Sequence, residues 1–227
     1  MQISRKTWKT AVGALCLFAG LTLAGCDQKS DAVSHNEKKE YDGLSLTAPL
    51  RTDPQARTVT MLVAINGRFL KEGTRHGIVY EGGSNNGKAL FVGYAAPKAL
   101  YDALVQLKAT PGNNMTNSNR ENTHVAGSKL QLTVNWAGAP GPYTFDEVLP
   151  DSNGRKIDMR FGGNLQDALA RKTGCLVCMD SCPAAIVSNA VYTYGAIEKR
   201  DEVTFTGNAS LLPADGTLAT VTFKVVD

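Results

Sequence analysis

The stretch SKLQLTVNW, Ser128 to Trp136, decides the fold class of this 227-residue chain. Large apolar side chains occupy every second position, at Leu130, Leu132, Val134 and Trp136. Strict alternation of apolar and polar residues is typical of a β-strand with one face in a core and the other towards water. The stretch therefore predicts a half-buried strand, and a sheet with one covered face is usually antiparallel.

Runs rich in β-branched residues elsewhere predict further strands. Four of them have the length and composition of a strand: RTVTMLVAI (57–65), HGIVYEG (76–82), KALFVGY (88–94) and RKIDMRF (155–161). The sequence GGSNNG between the second and third runs predicts a turn. Near the C-terminus, EVTFTGNASLL (202–212) and ATVTFKVV (219–226) flank Pro213 to Thr217, which predicts a β-hairpin.

Two segments have the apolar spacing of short helices. PKALYDALVQL (97–107) begins with a proline suited to a first helical turn and repeats leucine at helical spacing. LQDALARK (165–172) follows Asn164, a candidate N-cap, and precedes Gly174, which predicts the end of the helix. Strands outnumber these helices. The sequence therefore predicts a single α+β domain with a mainly antiparallel β-sheet and two short helices.

The N-terminal segment resembles a bacterial lipoprotein signal peptide. Three cations between residues 5 and 9 precede the apolar run 11–23, which is too short for an ordinary membrane-spanning helix. The run ends in Leu-Ala-Gly-Cys, and in such signals this cysteine, here Cys26, is lipidated. The resemblance implies that residues 1–25 are removed and that the acyl chains anchor the protein to a membrane. It also implies, through Asp27, the periplasmic face of the inner membrane.

The charge balance changes when the signal is removed. The whole chain has 24 Lys and Arg against 21 Asp and Glu. The three cations near the N-terminus leave with the signal and no acid does, so the mature chain is neutral. A neutral chain gives no reason to expect a nucleic-acid partner. Residues 26–50 are polar and mixed in charge, which predicts a flexible tether between the lipidated cysteine and a domain over residues 51–227.

Two stretches resemble the YdjY family of exported bacterial proteins. They are HGIVYEGGSNNGKALFVGYAAPKALYDALVQLKATPG (76–112) and TGCLVCMDSCPAAIVSNAVYTYGAIE (173–198). The resemblance extends from Thr58 to the C-terminus, and its most specific part surrounds the three clustered cysteines. It implies that the cysteine block is a real feature of the domain. Some members carry a ferredoxin-type label, which implies an iron–sulfur cluster, but the family supplies no reaction.

The cysteine spacing matches only part of the bacterial ferredoxin motif, Cys-x₂-Cys-x₂-Cys-x₃-Cys-Pro. Cys175, Cys178, Cys182 and Pro183 match its last three cysteines and its proline, while Lys172 stands where the first cysteine belongs. A site with four cysteines is therefore excluded within the domain. The sequence places these three cysteines in a loop that follows the second helix.

Several interpretations of the three cysteines remain open at the level of sequence. They could ligate an iron–sulfur cluster, with Asp180, His76 or His124 as the last ligand or with that position left open. They could form one disulfide bond with a spare thiol, because exported cysteines tend to pair. They could bind zinc or Cu(I), or they could simply fill a core.

The sequence favours a redox function over a hydrolytic one. It contains no P-loop, no Gly-x-Ser-x-Gly and no His-Glu-x-x-His motif. The prediction is a membrane-anchored periplasmic redox or electron-transfer accessory, with a redox partner protein, built on Cys175, Cys178 and Cys182. The alternative is a non-catalytic binding or assembly module without a cofactor, in which a structural disulfide braces the domain.

Overall fold

Residues 39–226 are the part of the chain that the structure, a computed structural model, describes. The predicted signal peptide, Cys26 and Asp27 lie outside this part. Residues 39–226 contain twelve strands: β1 (Glu40–Tyr41), β2 (Leu44–Ser45), β3 (Leu50–Asp53), β4 (Thr58–Ile65), β5 (His76–Tyr80), β6 (Ala89–Gly93), β7 (Lys129–Trp136), β8 (Tyr143–Thr144), β9 (Met159–Phe161), β10 (Cys175–Cys178), β11 (Val187–Asn189) and β12 (Leu218–Val226). They also contain a 3-10 turn (Gly67–Leu70) and three helices: α1 (Pro97–Gln106), α2 (Phe145–Val148) and α3 (Leu165–Arg171).

The C-terminal strand β12 closes the main sheet on itself. It pairs antiparallel with β4 through Leu218–Lys224 and, on its other edge, with β7 through Ala219–Val226. Going round from β4, the neighbours are β6, β5, β10, β11, β9 and β7, so eight strands of residues 39–226 form a closed ring. The strands β3 and β8 pair outside it. Closure gives each strand of the ring a hydrogen-bonded neighbour on both sides.

The predicted α+β fold is wrong, because the domain is mostly β and its main sheet is closed. The helices α1, α2 and α3 have only 10, 4 and 7 residues. A single hydrophobic cluster takes fully buried side chains from strands around the ring, among them Met61, Phe91, Phe161 and Phe223. Because the strands supply this core themselves, no helical layer is needed to cover the sheet.

The predicted C-terminal hairpin is also wrong. Both edges of β12 are occupied by β4 and β7, so residues 202–212 have no edge to pair with. This segment forms only an isolated bridge from Phe205 to Asp151, and it packs the Phe205 ring fully into the core. The apolar residues that suggested a strand are therefore explained by burial in a loop.

Two pairs of neighbouring strands are parallel, which departs from the predicted antiparallel pattern. The strands β5 and β6 form one pair, with His76 opposite Ala89, and β10 and β11 form the other. Residues 81–88 do turn the chain after β5, as GGSNNG predicts, but they carry it back along the strand before β6 begins. This return places Asn85 beside the cysteine strand β10.

The two predicted helices, α1 and α3, lie where the sequence predicts them, but α3 is not capped as predicted. Helix α1 begins at Pro97 and buries Leu100 and Leu104, as predicted. Asn164 precedes α3 but adopts a left-handed conformation, with φ of 44°, and its side chain does not cap the helix. Lys172, also left-handed, ends α3 before Gly174 is reached. No helix within residues 39–226 is long and apolar enough to cross a membrane.

The described part of the predicted tether is not a plain coil. The short strands β1 and β2 pair with each other, and Leu44 is buried against Leu62, Ala64 and Tyr94. The strand β3 then pairs with β4 through Leu50–Asp53. Apolar contacts thus attach the chain to the domain ahead of the predicted boundary at residue 51.

We expect Gly127→Ala to destabilise the domain strongly. A Cβ atom at Gly127 would lie 2.0 Å from the carbonyl oxygen of Phe161, and the residue has a φ of +119°. Both the clash and the left-handed backbone oppose any side chain, so the free energy of unfolding should fall by about 1–3 kcal/mol or more. Urea denaturation measures this loss.

Gly141→Ala is the matched control for this substitution. A Cβ atom there would meet no other atom within 4 Å, and its φ lies outside the left-handed region. The free energy of unfolding should therefore change by less than about 0.5 kcal/mol. Equal losses in the two variants would contradict the close approach of residues 127 and 161.

Candidate metal centre

Cys175 and Cys178 lie on the strand β10, not in a loop as the sequence suggested. On a regular strand, residues three apart point to opposite faces of the sheet. The pairing of β10 with β5 is irregular, however, with register shifts between Cys175 and Val177 and again between Val177 and Cys178. These irregularities re-aim the side chains, so both thiols reach the same imidazole.

That imidazole belongs to His76, the first residue of the neighbouring strand β5. His76 is the register partner of Cys178. Its Nδ1 atom lies 3.5 Å from the sulfur of Cys178 and 3.7 Å from the sulfur of Cys175. The three donor atoms all lie within 4.8 Å of one another, and all three side chains are buried. We refer to His76, Cys175 and Cys178 as the His76–cysteine group.

Cys182 lies beside this group rather than within it. It follows the strand β10 on a buried turn, and it is 5% exposed. Its thiol is close enough to hydrogen-bond with that of Cys178. Its backbone N–H donates to the Ser188 hydroxyl at 3.3 Å. Cys182 is therefore the nearest candidate for a fourth protein ligand, although it lies outside the compact set of three.

Asn85 is a contact of the site that sequence reasoning missed. Its side-chain amide donates to the sulfur of Cys175 at 3.5 Å. Its own N–H donates to the carbonyl of Thr173, which ties the 81–88 turn to the start of β10. The two segments approach so closely that a Cβ on Gly83 would lie 2.4 Å from the Thr173 carbonyl oxygen. The double glycine of GGSNNG was the available signal of this contact.

The two thiols of the group differ in acidity before any ion binds. A hydrogen bond from the Cys178 thiol lowers the pKa of Cys175 to about 3; burial opposes this shift, and His76 supports it. Hydrogen bonds with Cys175 and Cys182, together with burial, raise the pKa of Cys178 above its ordinary value. Since the thiolate is the form that binds metal ions, Cys175 is ready to act as a ligand.

Asp180 and His124, the other candidate ligands, do not belong to the group. Asp180 is fully buried and pairs with the Arg75 guanidinium at 2.7 Å, while its second oxygen accepts the Gly195 N–H at 2.8 Å. Burial raises the pKa of this carboxyl, and Arg75 opposes the rise. The ring of His124 instead contacts the carbonyl of Ala190 at 2.6 Å.

The turn after β10 is fixed by buried polar side chains that all have partners. The Ser181 hydroxyl accepts the Val125 N–H at 2.9 Å. The Asn189 amide donates to the Met179 carbonyl at 3.1 Å, and its oxygen accepts the Asp158 N–H at 3.0 Å. Fully satisfied buried networks of this kind hold a unique geometry. The turn that carries Cys182 is therefore rigid.

The donor distances fit one tetrahedral metal ion. With metal–sulfur bonds of about 2.3 Å and metal–nitrogen bonds of about 2.0–2.1 Å, tetrahedral geometry places sulfur and nitrogen about 3.5–3.6 Å apart. The Nδ1–sulfur distances in the group are 3.5 and 3.7 Å. A cluster binds its ligands on different iron ions, so its ligand atoms must spread farther apart. All three cysteines carry free thiols in this structure.

These features define a class: a mostly β domain with a closed sheet and a buried imidazole–thiol group that could hold a metal ion. The YdjY domain matches residues 50–224, and the chain belongs to the YdjY family. The chain is 63% identical over 221 residues to a protein of Escherichia coli (strain K12) named "Uncharacterized protein YdjY". The aligned region covers 97% of each chain. No solved structure matches the chain.

Proposed function

We propose that this protein is a membrane-anchored periplasmic electron-transfer accessory that binds one redox-active metal ion at the His76–cysteine group. The observation that carries the proposal is the pair of distances from His76 Nδ1 to the two thiol sulfurs, 3.5 and 3.7 Å. A single tetrahedral ion requires such spacing. Thiolate and imidazole ligands suit iron and copper, both of which exchange one electron.

The cavity beside the buried site favours a functional role over a purely structural one. Structural zinc sites are closed and use four protein ligands, whereas catalytic zinc sites keep one position open. Only three donors form the compact set within residues 39–226, and Cys175 also lines a cavity together with Cys182. An exchangeable fourth position or a route to a partner protein would face this cavity.

An iron–sulfur cluster is the alternative occupant of the same ligands. It would use Cys175, Cys178 and Cys182, with His76 as the last ligand, which completes the missing fourth position of the ferredoxin motif. Since the donor atoms lie closer together than a cluster requires, the side chains would have to separate on binding. A disulfide between two of the cysteines is the competing state in an oxidising compartment.

Metal and sulfide analysis of anaerobically purified protein tests this proposal. We expect about one iron or copper per chain, no acid-labile sulfide, and visible absorption that changes reversibly with a one-electron oxidant and reductant. Iron with equimolar or greater sulfide would favour the cluster and keep the redox role. Zinc alone, or no metal with one free thiol per chain, would overturn electron transfer and leave a braced binding module.

Lipidation of Cys26 is the second part of the proposal, and it rests on the Leu-Ala-Gly-Cys sequence. We expect Cys26→Ser, expressed as the full chain in a bacterium, to lose palmitate labelling almost completely and to keep residues 1–25, because the thiol that carries the lipid and directs cleavage is gone. Cys16→Ser is the matched control, since Cys16 lies within the apolar run and leaves with the signal. Palmitate labelling or signal removal that is unchanged in Cys26→Ser would contradict lipid anchoring.

A further inference from the structure

A cavity of about 190 Å³ adjoins the His76–cysteine group, and both Cys175 and Cys182 line it. Since each water molecule occupies about 30 Å³ of liquid volume, this volume accommodates about six waters. A small molecule of several heavy atoms would therefore fit directly beside the thiols.

The charged side chains around this cavity are strongly biased towards cations. Four cations line it, and they come from separate parts of the chain: Arg75, Lys88, Arg120 and Arg171. Two acidic groups share this lining: the carboxylate of Glu198, which is 60% exposed, and the thiol of Cys175, whose pKa is lowered. A cleft lined by one sign of charge focuses the electric field and concentrates ions of the opposite sign.

Two of the four cations are not neutralised by nearby protein carboxylates. Arg75 is paired with the buried Asp180 and also contacts Glu198 at 3.3 Å. In contrast, the Lys88 ammonium donates to the neutral amide of Asn85 at 3.1 Å, and Arg120 donates to that of Asn117 at 3.3 Å. Neither has a carboxylate partner within 4.0 Å among residues 39–226. The guanidinium of Arg171, on α3, lies 3.9 Å from the carboxylate of Asp167.

The aromatic ring of Tyr194 holds two of the guanidinium groups in place at the cavity. The Arg75 guanidinium carbon lies 4.4 Å from the ring centroid, and that of Arg120 lies 4.3 Å from it. Stacking on an aromatic ring leaves the N–H edges of a guanidinium free for acceptors. The Arg75 Nε–H has no acceptor within the described residues, although only 7% of the side chain is exposed.

We propose that this cavity is a binding site for a small oxyanion, either a carboxylate or a tetrahedral inorganic anion. Lys88 and Arg120 supply the charge that is not otherwise neutralised, and Arg75 supplies rigid N–H donors. The bound anion lies against Cys175 and Cys182, next to the position of the metal ion. The positive charge of the site comes from these side chains and not from the metal ion, so anion binding does not require the metal, although the Cys175 thiolate opposes it when no metal is bound.

Calorimetric titration of the whole exported protein with sulfate, phosphate and oxalate tests this proposal. Sodium chloride holds the ionic strength constant, and both chelator-treated and metal-loaded protein are titrated. We expect saturable binding of at least one probe to both forms. The probe that binds most tightly distinguishes a tetrahedral anion from a carboxylate.

Lys88→Met and Arg120→Met should each weaken that binding roughly tenfold, because a hydrogen bond to a charged group is lost. Lys98→Met is the matched control, since Lys98 is an exposed cation on α1 that pairs with Asp102. It should leave the affinity unchanged. Lys88 and Lys98 are exposed and Arg120 is half-buried, so a folded protein is expected, and circular dichroism checks this.

Absence of binding for all three probes would overturn the anion site. So would binding that Lys98→Met weakens as much as the two cavity variants do, since this indicates adventitious surface charge. Anion binding in a protein that takes up no redox metal would sink the electron-transfer proposal and keep this one. A metal-loaded protein that binds none of the three anions would overturn the anion site and leave the electron-transfer proposal standing.

Discussion

His76→Ala is expected to lower the affinity of the protein for its metal ion by roughly a thousandfold. The imidazole is the single nitrogen donor of the compact set within residues 39–226, and it contacts both sulfurs. Loss of a residue that merely orients a ligand costs about 10–100-fold in metal affinity, so loss of a ligand should cost more. Competition with a chelator of known affinity measures the effect.

Two variants serve as controls for this substitution. His124→Ala removes an exposed histidine whose ring contacts the Ala190 carbonyl, and the metal affinity should not change. Asn85→Ala removes only a hydrogen bond to the Cys175 sulfur, and the expected loss is about tenfold. If His124→Ala lost as much affinity as His76→Ala, the assignment of the ligand would fail.

Arg75→Met is expected to produce the largest loss of stability, about 3–5 kcal/mol in the free energy of unfolding. The Arg75 side chain is 7% exposed and Asp180 is fully buried, with 2.7 Å between their closest atoms. Methionine keeps most of the apolar stem but leaves the Asp180 carboxylate buried without its cation. Urea denaturation of chelator-treated protein separates this effect from any loss of metal.

A second substitution identifies the cause of that loss. Asp180→Asn in the Arg75→Met background removes the unpaired charge while keeping an oxygen for the Gly195 N–H, so at least half of the lost stability should return. Lys98→Met breaks an exposed pair with Asp102 and should cost less than about 0.5 kcal/mol. No recovery in the double variant would show that lost packing, rather than buried charge, causes the instability.

The local elements of the fold were predictable because they leave periodic patterns in the sequence. Alternation in SKLQLTVNW predicted β7, and leucine spacing predicted α1. Closure of the sheet was not predictable, because it depends on β12 pairing with β4 and β7, strands that lie far apart along the chain. The strand predicted over residues 202–212 was wrong for a related reason. The apolar side chains of this segment fill the core from a loop, and composition does not distinguish such a loop from a strand.

Two cysteines of the candidate metal centre could be singled out from the sequence, but its assembly could not. The spacing of Cys175, Cys178 and Cys182 marked a site, and His76 was one of several candidate partners. The choice among those candidates depends on β5 lying beside β10, and on the register irregularities that turn two thiols to one side. The buried pair of Arg75 with Asp180 leaves no sequence pattern, since its members are 105 residues apart.

X-ray absorption at the edge of the bound metal tests the central claim most directly. A single ion in the His76–cysteine group predicts one nitrogen at about 2.0–2.1 Å and two or three sulfurs at about 2.3 Å, with no second metal in the scattering. The nitrogen contribution should disappear in His76→Ala protein that is loaded with excess metal. A metal–metal distance, or a shell of sulfur alone in the unaltered protein, would contradict the single-ion centre.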